Sequence, residues 1–285
     1  VFQGTAAWCD QHFRTRFLAC LYEHGAFCAR YLEDFGINGN HLTADASALV
    51  FSAEFFPESA ETQKWGDKGW HLLVSEILKQ VHDDGVDFEG SVSYHRMVAE
   101  LFLWPARYRK IKAKGAPEVY YERLRKMASF SAAYSGSNGV APLWGDADDG
   151  RPFILGAQAP SQHGYLAALI SLAIDDAVLA CPPAASVGEI IWSLGAAAWE
   201  TASGATAQES RSVAFSVGGL YIMAGGDAQV FIDSGPVGYG GRGGHGHNDC
   251  LSFDAQLAGV SVISDSGTYV YTEDFSARNL FRSTA

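Results

Sequence analysis

Two histidines lie two residues apart in a glycine-rich segment, Gly241–Asp249, whose sequence is Gly-Arg-Gly-Gly-His-Gly-His-Asn-Asp. Imidazoles transfer protons near neutral pH and bind metal ions, so His245 and His247 are candidates for either chemistry. Glycine also lets the main chain approach a ligand closely. The residues that follow alternate like the start of a strand, on which both imidazoles would point the same way. The alternative is a glycine-rich connection that carries two solvated histidines.

Asn40 and His41 come where a helix is predicted to begin, within Asn-Gly-Asn-His-Leu-Thr-Ala-Asp. Asn40 has a side chain typical of a helix N-cap, which would give it a purely structural role. Asp45 lies four residues after His41, so it would share a helix face with the imidazole and could orient it. This pair is therefore a second candidate for chemistry.

Tyr94, His95 and Arg96 come at the predicted start of another helix, in Ser-Tyr-His-Arg. Tyrosine titrates at a pKa of about 10, so a tyrosine that accepts a proton needs cationic neighbours that lower its pKa. His95, Arg96 and His245 are candidates for those neighbours. The alternative is that the tyrosine and the arginine simply cover the protein surface.

The elements that must position these residues change character along the chain. Apolar side chains recur at helical spacing from residue 8 to about residue 200, and short alternating runs with glycine-rich turns follow from Ser212. Helices followed by strands are typical of an α+β multidomain protein. We predict a helical domain over residues 1–203 and antiparallel strands over residues 204–285. We expect both to continue beyond this chain, which has no initiator methionine or signal pattern.

Composition limits the partners. The chain has 285 residues and a formal net charge of −12, which argues against nucleic acid, because proteins that follow a phosphate backbone carry a basic face. No uncharged apolar run reaches the roughly 18 residues that a membrane span requires. The segment 144–151, Trp-Gly-Asp-Ala-Asp-Asp-Gly-Arg, superficially resembles a calcium loop but lacks the closing glutamate, so we interpret it as a structural loop that could line a cleft.

Three features in order resemble the heparinase II/III-like polysaccharide lyases, a family that includes alginate and heparan-sulfate lyases. They are Asn40-His41, then Tyr94 in Ser-Tyr-His-Arg, then Gly-His-Gly-His-Asn-Asp with a downstream Asp-Ser-Gly-Thr-Tyr and Phe-Arg-Ser-Thr-Ala. The resemblance implies an incomplete (α/α) toroid followed by an antiparallel β-sandwich. It also implies a bacterial protein that is periplasmic or secreted.

The resemblance implies specific roles at the site. Asn40 would hydrogen-bond the carboxylate of a uronic acid, and His41 would help to bind or neutralise it. Tyr94 would be the phenol that transfers a proton. His245 would stand opposite, as a second acid or base or as a stabilising group.

The resemblance also concerns a second tyrosine. Tyr271 aligns with a second tyrosine that some family members use, and Tyr269 is a close rival for that position. We expect His95, Arg96 and Arg242 to contact the substrate.

The resemblance also implies a structural zinc ion in the β-domain. His247 and Asp265 match two of its ligands. The third is a histidine expected just beyond Arg282-Ser-Thr-Ala, where this chain ends. Two ligands do not close a tetrahedral site.

The predicted reaction is β-elimination on a polysaccharide that contains uronic acid. Neutralising the carboxylate stabilises the enolate-like intermediate formed when the C5 proton is removed. A base takes that proton and an acid supplies one to the C4-linked oxygen. The product carries an unsaturated uronate.

Two alternatives stay open at this level. One is a glycoside hydrolase on a toroid scaffold, which would pair Asp45 or Glu54 with Asp87 or Glu89. The other is a catalytically inactive homologue that binds carbohydrate. Formation of an unsaturated product separates the lyase from both.

Overall fold

The computed structural model describes residues 4–135, 138–156, 158–206 and 211–283. The chain divides into two compact units, residues 1–76 and residues 77–285. Residues 203 and 204, where we predict a domain boundary, lie inside the second unit. The last helix before the strands ends at Ser203, and the first strand begins at Val213. This position therefore marks a change of secondary structure within one unit.

The first unit is helical. It contains α1 (Ala6–Cys9), α2 (Gln11–Arg30), α3 (Asn40–Phe55) and most of α4 (Ala60–Gln80). Asp10 begins α2, because its side chain accepts hydrogen bonds from the backbone N–H groups of His12 and Phe13. The apolar residues buried on α3 are Leu42, Ala46, Leu49, Val50 and Ala53.

The second unit combines helices with a sheet. Its helices are α5 (Val92–Ile111), α6 (Glu118–Ser135), α7 (Leu166–Ala173), α8 (Val187–Leu194), α9 (Ala196–Ser203), α10 (Gly238–Gly241) and α11 (Phe275–Phe281), with a 3-10 turn at Ala184–Ser186. In the described part of the chain, no helix has the length and apolar character needed to cross a membrane.

Among the residues that the structure describes, the sheet has five strands: β1 (Val213–Phe215), β2 (Leu220–Gly225), β3 (Ala228–Asp233), β4 (Phe253–Leu257) and β5 (Val260–Ile263). Each strand pairs antiparallel with the next, in the order β1-β2-β3-β4-β5. Antiparallel strands after helices agree with the prediction from alternation. The glycine-rich run with the two histidines precedes β4 and is not itself a strand.

The sheet packs against helices of its own unit. Phe130 and Tyr134 of α6 contribute to one buried apolar cluster with side chains of the first three strands. The Phe130 and Phe215 rings meet edge to face, with centroids 4.9 Å apart. The other strand members of the cluster are Leu220, Ile222 and Phe231. This cluster fixes the sheet relative to α6, and it includes Val92 and Trp144, which also line the cavity described below.

Ser91 fixes the start of α5. Its hydroxyl oxygen accepts hydrogen bonds from the backbone N–H groups of Ser93 and Tyr94, at 3.1 and 3.3 Å. The same hydroxyl donates to the backbone oxygen of Asp146 at 2.6 Å. Ser91 therefore caps the helix that carries Tyr94 and ties it to a second segment.

Replacing Ser91 with alanine is expected to lower the free energy of unfolding by about 1–2 kcal/mol, because the helix loses its cap. The loss is measurable by urea denaturation. Ser93→Ala, in the same turn but not at the cap, serves as the control and should cost less than about 0.5 kcal/mol. Equal losses in the two variants would contradict the capping role.

Gly145 allows close backbone packing beside this cap. Its φ is +69°, and an added Cβ would lie 2.1 Å from the backbone oxygen of Gly90 and 2.8 Å from the Ser91 Cβ. Only glycine fits this combination of positive φ and close approach.

Candidate active site

The anchored segment, residues 143–148, runs between the start of α5 and the sheet. N–H groups of this segment donate hydrogen bonds to side-chain oxygens of residues in the strands or close to them. Backbone N–H groups donate from Leu143 to Asp254, from Gly145 to Asp249 and from Ala147 to Thr268, and the Trp144 indole donates to Asp233. The segment is thus held in one conformation.

Tyr94 and Tyr271 bring two phenols together beside this segment. Their hydroxyl oxygens lie 3.2 Å apart, and either group can donate the hydrogen bond. The Tyr94 hydroxyl also lies 3.4 Å from Oδ2 of Asp148. Tyr94 reaches this position from the first turn of α5, and its side chain is buried.

Both phenols hold their protons tightly. Burial raises the pKa of Tyr94, and Tyr271 and the carboxylates of Asp148 and Asp146 raise it further. Burial likewise raises the pKa of Tyr271, to about 12. Both side chains are therefore neutral at neutral pH. The expectation that cationic neighbours lower the pKa of Tyr94 is wrong for this structure, because the charged groups near its oxygen are carboxylates.

His245 stacks on Tyr94. The two rings are nearly parallel, at 16°, with centroids 3.6 Å apart. The imidazole Nδ1 lies 3.2 Å from Oδ2 of Asp146, and Nε2 lies 3.5 Å from Oε2 of Glu89. Both ring nitrogens thus face carboxylates, and His245 lies beside Tyr94, ring against ring.

Asp146 joins the two histidines. Its Oδ1 lies 3.0 Å from Nε2 of His247 and also accepts a hydrogen bond from Arg282. Burial alone would raise the pKa of the Asp146 carboxyl, but hydrogen bonds from His245 and His247 and the charge of Arg282 lower it. The carboxylate is therefore ionised. From the strand pattern we expected both imidazoles to point into one cavity. In the structure, both imidazoles instead contact the carboxylate of Asp146.

Arg282 also contacts Tyr271. Its guanidinium lies over the Tyr271 ring, 5.5 Å from the centroid. Arg282 therefore contacts both Tyr271 and Asp146. Through this arginine, the Phe-Arg-Ser-Thr-Ala motif reaches the site.

His247 and Asp265 have the geometry of two ligands of one metal ion. Nδ1 of His247 lies 3.4 Å from Oδ1 of Asp265 and is buried without a hydrogen-bond partner. Two ligands of a tetrahedral zinc ion with bonds of about 2.0–2.1 Å lie about 3.3 Å apart. Among residues 4–135, 138–156, 158–206 and 211–283, no group of three or more His, Cys, Asp or Glu side chains could hold a metal ion. The chain therefore fits two positions of a zinc site.

The structure places His95 away from the site. Its side chain is fully buried, and Nε2 is 3.0 Å from the Ser131 hydroxyl. Burial lowers the pKa of His95 to about 3, so the ring is neutral. The expectation that His95 contacts substrate is wrong, because the next residue along a helix points to another face, here towards α6.

Arg96 is also buried, with 1% of its surface exposed. Its guanidinium donates to the backbone oxygens of Pro160 at 2.6 Å and Asp148 at 3.1 Å. The expectation that Arg96 contacts substrate is wrong for this structure. Its two hydrogen bonds instead hold loops against α5, which is a structural role. Arg242 is exposed at the end of α10, so its contact with substrate stays a prediction.

Asn40 and His41 belong to the first unit. Asn40 is the first residue of α3 and is buried, while Gly39 occupies the N-cap. His41 is exposed, and its Nδ1 lies 2.8 Å from Oε2 of Glu33. Asp45, predicted to orient His41, instead accepts a hydrogen bond from the backbone of Glu33. The roles of Asn40 and His41 stay predictions.

The structure distinguishes the two rival tyrosines. Tyr269 is 70% exposed and stacks on Phe281 at 4.6 Å. Tyr271 meets Tyr94 and lines a cavity of 430 Å³ together with Asp148, Asp149 and part of the anchored segment. The geometry therefore favours Tyr271 as the second phenol.

Sequence reasoning missed the importance of residues 144–151. Asp146 and Asp148 stood out only as part of a supposed calcium loop, whereas they contact His245 and Tyr94. The available signal was a cluster of aspartates next to Trp-Gly in a segment without helix or strand pattern. That signal does not say which distant residues the aspartates meet.

Comparison with known proteins identifies the family. The model for the Heparinase II/III N-terminus matches residues 5–158, and the model described as Heparinase II/III-like, C-terminal matches residues 207–285. The heparin-sulfate lyase of Bacteroides stercoris is 28% identical over 137 residues, which cover 47% of this chain and 20% of that protein. The heparin-sulfate lyase of Pedobacter heparinus is 31% identical over 110 residues, covering 38% and 17%. The chain thus spans about a fifth of the length of these relatives.

Solved structures share the fold. A crystal structure of heparinase III superposes with a TM-score of 0.73 at 19% identity, covering 99% of this chain and 42% of that one. A mutant of the heparan sulfate lyase of Pedobacter heparinus gives 0.67 at 21% identity, covering 95% and 39%. The toroid-plus-sandwich fold class is therefore confirmed. With one family model matching more than half of its residues and a second matching its strands, this chain belongs to the heparinase II/III family.

Proposed function

We propose that this chain carries catalytic residues of a polysaccharide lyase that cleaves uronate-containing polysaccharide by β-elimination. The observation that carries the proposal is the pair of phenols 3.2 Å apart, with Tyr94 stacked on His245 and Tyr271 at the edge of a cavity. The relatives named heparin-sulfate lyase support the same reaction class.

Elimination breaks two bonds in the substrate. A base removes the C5 proton, and the electron pair of that C–H bond forms the C4–C5 double bond. The C4–O bond breaks and the leaving oxygen takes up a proton from an acid. Each positioned proton-transfer group accelerates such a step by about 10²–10⁴-fold.

We assign the acid role to Tyr94. Its raised pKa keeps the hydroxyl protonated in the substrate-free protein, ready to donate to the leaving oxygen. The base is then one of the two groups in contact with Tyr94: His245, or Tyr271 after its phenol has given up its own proton. Asn40 and His41 keep the role that the resemblance gives them, neutralising the uronate carboxylate.

Phenylalanine substitutions test the second phenol. Tyr271→Phe is expected to lower kcat by at least about 10²-fold if Tyr271 takes part in proton transfer. Tyr269→Phe, two residues earlier and largely exposed, should leave kcat unchanged. Full activity of Tyr271→Phe would exclude Tyr271 as the base and leave His245.

The function itself is tested by product analysis. The full-length protein should raise ultraviolet absorbance with at least one polymer among alginate, heparosan, hyaluronan, chondroitin and heparan sulfate. Hydrolysis creates new ends without a double bond, and an inactive homologue binds without turnover. Either result on every polymer would overturn the lyase proposal.

The burial of Asp87 and Glu89 argues against the hydrolase alternative, which needs one of these carboxylates to reach the substrate. Asp87 is 1% exposed and Glu89 is fully buried. Burial and the nearby Glu89 raise the pKa of Asp87 well above its usual value. Neither side chain is open to a sugar in this conformation.

We propose in addition that His247 and Asp265 hold a structural zinc ion. The zinc would stabilise the loop before β4, with further ligands from outside the described residues or from water. Burial opposes charge on His247, but hydrogen bonding to Asp146 and the nearby Asp265 raise its pKa to about 9. Metal binding would therefore release a proton from Nδ1.

Adding zinc should raise the unfolding temperature, since a ligand that binds only the folded state stabilises it. His247→Ala should abolish this shift because it removes a ligand. His71→Ala, an exposed histidine elsewhere, is the control and should keep it. A shift that persists in His247→Ala would contradict the site.

We also infer that the protein acts in the periplasm or outside a bacterial cell. The support is that the named relatives come from bacteria. Fractionation of the native host, with antibody detection, tests this location.

A further inference from the structure

Asp146 is held in place by its backbone. Its N–H donates to the backbone oxygen of His245 at 2.8 Å, and its carbonyl oxygen accepts from the Ser91 hydroxyl at 2.6 Å. The residue is 1% exposed. The carboxylate therefore has a defined position that water does not compete for.

The two carboxylate oxygens serve different histidines. Oδ2 lies 3.2 Å from Nδ1 of His245, and Oδ1 lies 3.0 Å from Nε2 of His247. An ionised carboxylate only accepts hydrogen bonds. Each ring nitrogen that faces Asp146 must therefore carry its proton.

For His247, this leaves Nδ1 directed at Asp265, whose Oδ1 lies 3.4 Å away, and these two atoms would hold the metal ion. A histidine that binds a metal usually donates its other N–H to a carboxylate, which fixes the tautomer and the ring orientation. Asp146 is in the right place to be that carboxylate.

For His245, the same carboxylate restrains rotation of the ring. The imidazole must stay nearly parallel to Tyr94 to keep the 3.6 Å stacking. A hydrogen bond at Nδ1, with the backbone oxygen of the same residue also bonded to Asp146, holds that orientation.

We propose that Asp146 is a positioning residue shared by both histidines, orienting His245 against Tyr94 through Oδ2 and His247 towards the metal through Oδ1. This inference rests on the proposed function for its catalytic half. It makes the metal site and the phenol pair parts of one structure, joined by a single carboxylate.

The test compares Asp146→Asn with the wild type. Asparagine has one acceptor oxygen and an NH₂ group, so it cannot accept from both histidines. Zinc affinity, measured by competition with a chelator, should fall about 10–100-fold, and kcat should fall by a similar factor with KM unchanged. Asp148→Asn, an equally conservative change in the same segment that touches neither histidine, should keep zinc affinity.

Nitrogen-detected NMR of the histidine side chains supplies a readout that needs no activity and no variant. In the wild type, Nδ1 of His245 and Nε2 of His247 should both carry slowly exchanging protons. A missing proton at either nitrogen overturns the proposal even if Asp146→Asn does not fold.

A loss of zinc affinity in Asp146→Asn without loss of kcat, or the reverse, overturns the shared role. If the wild type forms no unsaturated product, the proposed function fails, while the NMR result still decides the role of Asp146.

Discussion

Replacing Tyr94 with phenylalanine is expected to reduce kcat for elimination by about 10²–10⁴-fold, because the variant lacks the hydroxyl that supplies a proton to the leaving oxygen. The phenyl ring keeps its stacking on His245 and its place in the first turn of α5. KM should change little, since the hydroxyl acts in proton transfer. Initial rates of unsaturated product formation check this expectation.

Tyr120→Phe is the matched control for this variant. Tyr120 is also buried, and its hydroxyl donates to the backbone oxygen of Phe102 at 2.7 Å, away from the phenol pair. Removing that hydroxyl should cost about 1 kcal/mol of stability and leave kcat intact. Comparable kcat values for Tyr94→Phe and the wild type would remove Tyr94 from the mechanism.

Replacing Arg151 with methionine is expected to lower the free energy of unfolding by about 3–5 kcal/mol, because it leaves two buried carboxylates without their cationic partner. Arg151 donates to Glu100 at 2.8 Å and to Glu189 at 2.8 Å, and those side chains are 0% and 1% exposed. Burial already raises the pKa of Glu100 despite the arginine. Urea denaturation followed by circular dichroism measures the loss.

Arg125→Met provides the comparison for a surface ion pair. Arg125 pairs with Glu118 at 2.7 Å and with Asp176 at 2.6 Å, but the three side chains are 41%, 75% and 39% exposed. Such exposed pairs contribute about 0–1 kcal/mol. A loss for Arg151→Met as small as that for Arg125→Met would show that the buried cluster does not stabilise the fold.

The fold was largely predictable because its signals are local. The helical period up to about residue 200 and the alternation from Ser212 agree with α1–α9 and with the five strands. The anchored segment, residues 143–148, was harder to predict, because it is neither helix nor strand. Its conformation is decided by hydrogen bonds to Asp233, Asp249 and Asp254, which lie about a hundred residues further along the chain.

The sequence by itself determined the residue types of the site and the order of its elements. It singled out Tyr94, Tyr271 and His245, which the structure brings into contact, and the family that their motifs indicate. The sequence could not show which face of a helix each side chain occupies. Tyr94 and His95 are adjacent on α5, yet one reaches Tyr271 and the other packs against α6.

Only the tertiary structure decided which charges surround these groups. Asp146 meets His245 and His247 across 99 and 101 residues of sequence. Those contacts depend on how the start of α5, the anchored segment and the loop before β4 pack together. Periodicity and motif spacing report local conformation, whereas such packing is a property of the whole folded unit.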